Sequence, residues 1–104
     1  MNNDLRTYLS PDQITIVHAT IPASDWIRYP DGQYQQIISI ADIDHQNARR
    51  VDIDMEKAYP DNAEQYLEAW SNIHCATAIE EGIKFTCYTG VPQINIPILV
   101  EVFG

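Results

Sequence analysis

The residues best suited to chemistry form an acidic cluster near the middle of the chain. Asp42, Asp44 and His45 lie close together, and Asp52 and Asp54 follow after a pair of arginines. Ca²⁺ prefers several carboxylate oxygens on a loop, so Asp42, Asp44 and His45 are candidate metal ligands. The glycine and the terminal glutamate of an EF-hand loop are missing, and the arginines can neutralise the acids. The pattern favours a solvated turn with salt bridges over a metal site, and it predicts no cofactor.

The histidines and cysteines form no recognisable catalytic motif. His18 shares a predicted strand face with isoleucines, which favours a structural histidine with satisfied hydrogen bonds. His74 and Cys75 are adjacent and Cys87 follows later, but a metal site needs a third ligand and a nucleophile needs an orienting group. Two cysteines are too few for a disulfide framework, so we expect both to be reduced and at least partly buried.

The wider search for enzymatic motifs gives the same answer. The sequence contains no glycine-rich phosphate loop, no Gly-x-Ser-x-Gly and no His-Glu-x-x-His. We therefore predict that the protein is not an enzyme. A small metal-dependent accessory enzyme, in which Asp42, Asp44 and His45 converge in a cleft, is the alternative that this cluster leaves open.

Charge limits the partners of the chain. Six basic and 15 acidic residues give a formal net charge of −9, which repels phosphate backbones and anionic lipid. We therefore expect no nucleic-acid partner and no membrane partner, and no signal peptide or long apolar run is present. The acidic stretch between Lys57 and Lys84 favours a solvated face. Its alternative role is a docking surface for a basic partner, with Glu64 and Glu68 as the candidate residues.

The positioning elements are predicted from periodicity. The chain of 104 residues fits one α+β domain at 13–104, preceded by an irregular arm at 1–12 that is a candidate attachment peg. Alternating apolar residues predict about six short strands, at 13–21, 34–40, 50–55, 76–79, 83–89 and 94–102. The order is β-β-β-α-β-β-β, an antiparallel β-sheet system with one amphipathic helix packed across it. Pro97 lies inside the last strand, which predicts an edge strand or a bulge.

One helix is expected after Pro60. Asp61 is the predicted N-cap, and Glu64 completes a capping-box pattern. An apolar stripe at helical spacing should pack on the sheet. Its members are Ala63, Tyr66, Leu67, Trp70, Ile73 and Thr77.

An ordered series of weak motifs resembles a small domain of phage and prophage structural proteins from Gram-positive bacteria. The similarity covers residues 17–103 and is sharpest at Trp26 and in the Ile-Pro-Ile strand at 96–98. The matching segments are 19–26 (ATIPASDW), 34–40 (YQQIISI), 43–44 (ID), 51–54 (VDID), the helix at 63–73, 82–88 (GIKFTCY) and the turn at 91–92 (VP).

This resemblance implies a virion structural protein that acts by protein–protein assembly. The expected forms are a head fibre, a capsid decoration protein or a tail or baseplate accessory module. The missing fibre shaft speaks against a receptor-binding tail fibre. The resemblance implies other virion proteins as partners, a homo-oligomer with a homotrimer favoured, and a place in the virion after synthesis in the host bacterial cytoplasm. The alternative is a carbohydrate- or cell-surface-binding module, in which exposed Trp26, Tyr29 and Tyr34 stack on sugars and against which a buried Trp26 would count.

Overall fold

Two antiparallel β-sheets and one α-helix form the described part of the chain, which confirms the α+β class. A computed structural model describes residues 14–44, 46–57 and 62–103; the predicted arm at 1–12, His45 and the Asp61 cap lie outside these ranges. The strands are β1 (Ile14–Ile21), β2 (Ile27–Arg28), β3 (Tyr34–Ser39), β4 (Ala48–Ile53), β5 (Cys75–Ile79), β6 (Gly82–Cys87) and β7 (Ile96–Phe103), and the helix α1 spans Ala63–Ser71.

The strands divide unequally between the two sheets. The three-stranded sheet has the order β1-β7-β4, and the four-stranded sheet has the order β2-β3-β6-β5. The strand that the prediction lacked is β2, whose Ile27 pairs with Gln35 and whose Arg28 pairs with Tyr34. It lies in a segment that the sequence assigns to a loop, because two residues are too few to show an alternating pattern.

The core lies between the inner faces of the two sheets. Ile96, Ile98, Val100 and Val102 of β7 are all buried, which confirms the alternation predicted there. The opposite sheet contributes every second residue of β6, with Phe85 fully buried. Burying one such aliphatic or aromatic side chain contributes about 1.5–3 kcal/mol, so β7 and β6 form the centre of the domain.

The prediction that Pro97 marks an edge or a bulge is wrong, because β7 is the central strand of its sheet. Pro97 O accepts a hydrogen bond from Asp54 N (2.9 Å), so the backbone of Pro97 faces the side of β4. Pairing with β4 ends one position away, at Ile53 and Ile98. Proline lacks an N–H, and at position 97 that group would point towards β4, just beyond the last β4–β7 pair. No hydrogen bond between β7 and β1 is therefore lost.

The helix is shorter than predicted and packs by a narrower stripe. It begins after Asn62, whose side chain makes no capping hydrogen bond; the predicted capping box of Asp61 and Glu64 is not tested, because Asp61 lies outside the described residues. Leu67 is 51% exposed and Ala69 is the buried helical residue, because the stripe follows residues 66, 69 and 70. Thr77, expected on the helix, lies on β5. None of the described helices is long and apolar enough to cross a membrane.

The β5–β6 hairpin also differs from the prediction in the role of its glycine. The residue with positive φ is Glu81 (φ 59°), whereas Gly82 is a buried residue of β6. A Cβ atom on Gly82 would lie 3.0 Å from Ile38 O and 3.1 Å from Ile37 Cγ2. Gly82 is therefore needed for the close approach of β3 rather than for the turn. The end of β4 also differs from the prediction, which placed Met55 in this strand. β4 ends at Ile53, and Met55 is exposed in the 3₁₀ turn Met55–Lys57.

Candidate functional site

The most conspicuous surface is the outer face of the four-stranded sheet, which exposes large apolar side chains. Ile27 is 60% exposed and Ile37 is 57% exposed, and both lie on the side of the sheet that faces away from the core. Tyr88 (46%) and Tyr29 (42%) are exposed beside them. Singly scattered apolar residues are normal on a surface, but several on one sheet face mark a contact region. We call Ile27, Tyr29, Ile37 and Tyr88 the apolar face.

A shallow groove runs through one side of the apolar face. It encloses about 280 Å³ between Ile27, Tyr29 and Ile37, with Asp25 and Gln35 supplying polar groups. β2 pairs only with the first two residues of β3, so in the described part of the chain no strand lies beside the rest of the outer edge of β3. The groove therefore combines apolar side chains with a partly open sheet edge.

At the other side of the apolar face, Tyr88 packs against Cys75 and His74, the adjacent residues considered above as possible metal ligands or as a nucleophile pair. Its Oη lies 3.5 Å from Cys75 Sγ, and its ring centroid lies 4.6 Å from that of His74. The hydrogen bond with Cys75, followed by the charge of that thiol and by burial, raises the pKa of Tyr88 above its ordinary value. Both rings and the thiol are accessible, so this cluster can contact a partner.

The two cysteines have opposite environments. Both are free, as predicted. The expectation that both are partly buried is wrong for Cys75, which is exposed because β5 is an edge strand. Cys87 is buried, and burial raises the pKa of its thiol from 9.0 to about 11. Cys87 is therefore a core residue with little thiolate at neutral pH.

A His–Asp pair was not predicted from the sequence. His18 Nδ1 lies 3.0 Å from Asp54 Oδ2; the His18 side chain is 56% exposed, whereas that of Asp54 is only 2% exposed. Asp54 Oδ1 also accepts a hydrogen bond from Glu56 N (3.2 Å), so this carboxylate holds the 3₁₀ turn. The pair opens on a cleft of about 370 Å³ that also contains Lys57 and Tyr66. Thr20 and Asn95 also line this cleft, and the pair links β1 to the residue that follows β4.

The candidate metal ligands are used in a turn. Asp44 Oδ1 accepts hydrogen bonds from Gln46 N (2.8 Å) and Asn47 N (3.0 Å), and Asn47 Nδ2 donates to Asp42 O (2.8 Å). Arg50 pairs with Asp52 at 3.2 Å, as the salt-bridge alternative predicted. His45 lies outside the described residues. Within residues 14–44, 46–57 and 62–103, no three His, Cys, Asp or Glu side chains are grouped to hold a metal ion.

The predicted sugar-binding aromatics do not share one exposed surface. Trp26 is half-buried and packs against the core, and its Nε1 is buried without a hydrogen-bond partner in the described part of the chain. Tyr34 is half-buried, whereas Tyr29 is exposed and belongs to the apolar face. The predicted docking residues Glu64 and Glu68 are both exposed on α1.

The sequence signal for the apolar face was incomplete. Alternation in β3 indicated that residue 37 points away from the core, but only the pairing of strands places it near Ile27 and Tyr88. Comparisons with known protein families, curated proteins and solved structures found no match. The function must therefore be argued from this geometry and from the resemblance described above.

Proposed function

We propose that the chain is a non-enzymatic structural module of a phage or prophage virion that assembles through protein–protein contacts. The observation that carries this proposal is the apolar face, where Ile27 and Ile37 are 60% and 57% exposed. Burying apolar area contributes about 25 cal/mol per Å², so a protein surface that covers these side chains gains free energy. A net charge of −9 keeps the free chain soluble until it meets that surface.

The virion setting comes from the resemblance at residues 17–103. A head fibre, a capsid decoration protein and a tail or baseplate accessory module all need a small rigid domain with one adhesive face. The two-sheet domain fits this role because its strands hold the apolar side chains at fixed spacing. The His18–Asp54 link and the Asp44 turn have structural partners that account for their polar groups, and this supports a module without catalysis.

The test is the presence of the chain on particles. Phage particles released from induced cells that encode the chain are purified by density gradient, and their proteins are quantified by mass spectrometry. We expect the wild-type chain at constant stoichiometry. Replacing Ile27 and Ile37 with Lys should lower its occupancy about tenfold or more, because two charges would be buried at the contact.

Ile16→Lys is the matched control, since Ile16 is also an exposed isoleucine (46%) but lies on β1 of the other sheet. Its occupancy should equal that of the wild type. Particles that lack the wild-type chain would refute the virion role. Occupancy unaffected by the double Ile27 and Ile37 variant would refute the apolar face as its contact.

A carbohydrate- or cell-surface-binding module is the second candidate, and the exposed rings of Tyr29 and Tyr88 favour it. Sugars stack on accessible aromatic faces, and Asp25 and Gln35 lie in the adjoining groove to accept and donate hydrogen bonds. Titration of ¹⁵N-labelled chain with host cell-wall polysaccharide fragments would shift amide signals around Tyr29 in this case. Unshifted spectra at millimolar sugar would exclude it.

A further inference from the structure

At one flank of the sandwich the two sheets do not fully cover each other, because one described sheet has three strands and the other has four. β4 ends the three-stranded sheet and β5 ends the four-stranded sheet, both on this flank. Ala76 pairs with Phe85 and Ala78 pairs with Ile83, so both alanines point to the core side. Ala76 is nevertheless exposed and Ala78 is half-buried. We call β4, β5 and the groove of about 180 Å³ between them the open flank.

Within residues 14–44, 46–57 and 62–103, no strand pairs with the outer edge of β4 or of β5, so backbone groups point outwards on both edges. Asp54 donates its N–H to β7, so Val51, three residues earlier, directs its N–H away from the sheet. On β5, Thr77 pairs with Lys84, whose backbone points towards β5 because Ile83 and Phe85 bond to β3, so the intervening Ala76 and Ala78 direct their N–H groups outwards. Rows of unpaired edge groups are templates for another strand. The small side chains of Ala76 and Ala78 leave room for that strand to pack closely.

The two edge strands run in opposite directions. The loop at 40–47 joins the end of β3 to the start of β4, and β3 and β5 both pair antiparallel with β6. Glu81, in the turn after β5, donates its N–H to Ile43 O (2.7 Å) and accepts a hydrogen bond from Ile40 N (3.0 Å). The end of β5 and the start of β4 therefore lie at the same end of the sandwich.

We propose that the open flank binds a second copy of this chain about a two-fold axis parallel to the strands. Such a rotation keeps the direction and height of every strand and exchanges the two sheets. It brings β4 of one copy beside β5 of the other, antiparallel, and does the same on the opposite sheet. The exposed Ala76 and Ala78 of the two copies then face each other across the axis.

Charge complementarity supports this occupant. Arg49 and Arg50 lie near the start of β4, and Glu80 and Glu81 follow the end of β5. The two-fold axis places the arginines of one copy next to the glutamates of the other, twice in each dimer. Arg50 is already paired with Asp52 and Glu101, whereas the exposed Arg49 lies over the Phe103 ring (5.9 Å) and has no carboxylate partner among the described residues. Pairing β4 with a second β4 would instead oppose like charges.

This dimer goes beyond the proposed function and does not depend on it, because it rests on edges and charges rather than on the apolar face. It differs from the homotrimer that the resemblance favours, and the measured mass distinguishes the two. A two-fold axis places an antiparallel partner strand on both edges of the flank, which agrees with the opposite directions of β4 and β5.

Light scattering of the full-length chain, diluted from about 1 mM to about 1 μM, measures this assembly. We expect twice the monomer mass at high concentration. Ala76→Lys should raise the concentration of half-dissociation about tenfold or more, since it places a charge on the axis. Ile16→Lys is the control, because Ile16 is 46% exposed on β1, at the edge of the sheet away from the open flank, and it should leave the mass unchanged.

A charge swap tests the pairing itself. Arg49→Glu and Glu80→Arg should each weaken the dimer, and the double variant should restore it, because both copies carry both changes. A monomer or a trimer at every concentration would overturn the proposal. So would a dimer that survives Ala76→Lys or a double variant no stronger than the single ones. Particle occupancy tests the virion role separately.

Discussion

Replacing Glu81 with Gly should stabilise the protein, although the change deletes a side chain. Glu81 has φ 59°, in the left-handed region that is unfavourable for a residue with a Cβ atom by about 1–2 kcal/mol. Its backbone is held there by hydrogen bonds to Ile43 O (2.7 Å) and from Ile40 N (3.0 Å), which glycine retains. Glycine also gains freedom in the unfolded chain, which costs about 0.4–1 kcal/mol. The net gain in free energy of unfolding is about 0.5–1 kcal/mol, which raises the Tm by about 2–8 °C.

Glu80→Gly is the matched control, because it removes the same charge from the same turn. Glu80 has no positive φ, so glycine relieves no strain there and should cost about 0.5–1 kcal/mol. The observable is the difference in Tm between the two variants by calorimetry, checked by urea unfolding. Since each variant removes one glutamate from the open flank, their difference cancels that effect to first order. Equal shifts, or a lower Tm for Glu81→Gly than for Glu80→Gly, would refute the conformation assigned to this turn.

Three further outcomes follow from the polar and sulfur contacts. Asp44→Ala should lower the free energy of unfolding by about 1–2 kcal/mol, measured by urea unfolding, because the N–H groups of the turn into β4 lose their acceptor, and adding Ca²⁺ to the wild type should leave the Tm unchanged. Native protein should react with one equivalent of a thiol reagent at Cys75, and denatured protein should react with two. Because folding raises the pKa of Cys87 from 9.0 to about 11, the thiol of the unfolded chain loses its proton first as the pH rises. The free energy of unfolding should therefore fall between these two pH values. Cys75→Ala should lower the pKa of Tyr88 in an ultraviolet titration, since it removes the hydrogen bond that raises it, and an unchanged titration would contradict that cause.

Periodicity predicted the elements whose side chains meet a continuous core. β7 alternates over its whole length because both of its neighbours are long strands, so each inward position is covered. The helix was predicted at the right place but with Leu67 inward, because a period of 3.6 leaves the direction of the stripe uncertain by one residue. The short helix contacts β4 and β7, with Tyr66 near Asp54 and Pro97, and Ala69 is its buried residue.

Long-range pairing decided what periodicity could not. A proline inside a strand usually indicates an edge strand, because proline cannot donate a hydrogen bond to a neighbouring strand. At Pro97 the neighbouring strand is β4, and its pairing with β7 ends at Ile53 and Ile98, so the general rule does not apply. His18 and Asp54 are separated by 36 positions along the chain and meet only because β1 and β4 flank the same central strand. Neither relation has a local signal, so the cleft between β1 and the 3₁₀ turn could not be predicted from the residues that line it.

The open flank is another feature that sequence periodicity cannot predict. Ala76 and Ala78 are apolar residues on one side of a strand, separated by Thr77, as core-facing residues are, and a sequence pattern cannot tell whether another strand covers them. Their exposure depends on a count of strands in the opposite sheet, which is a property of the whole topology. An interface formed by strand addition is therefore composed of residues that look like core in the sequence. The apolar face differs in this respect, because Ile37 breaks the expected polar side of its strand and is anomalous even before the fold is known.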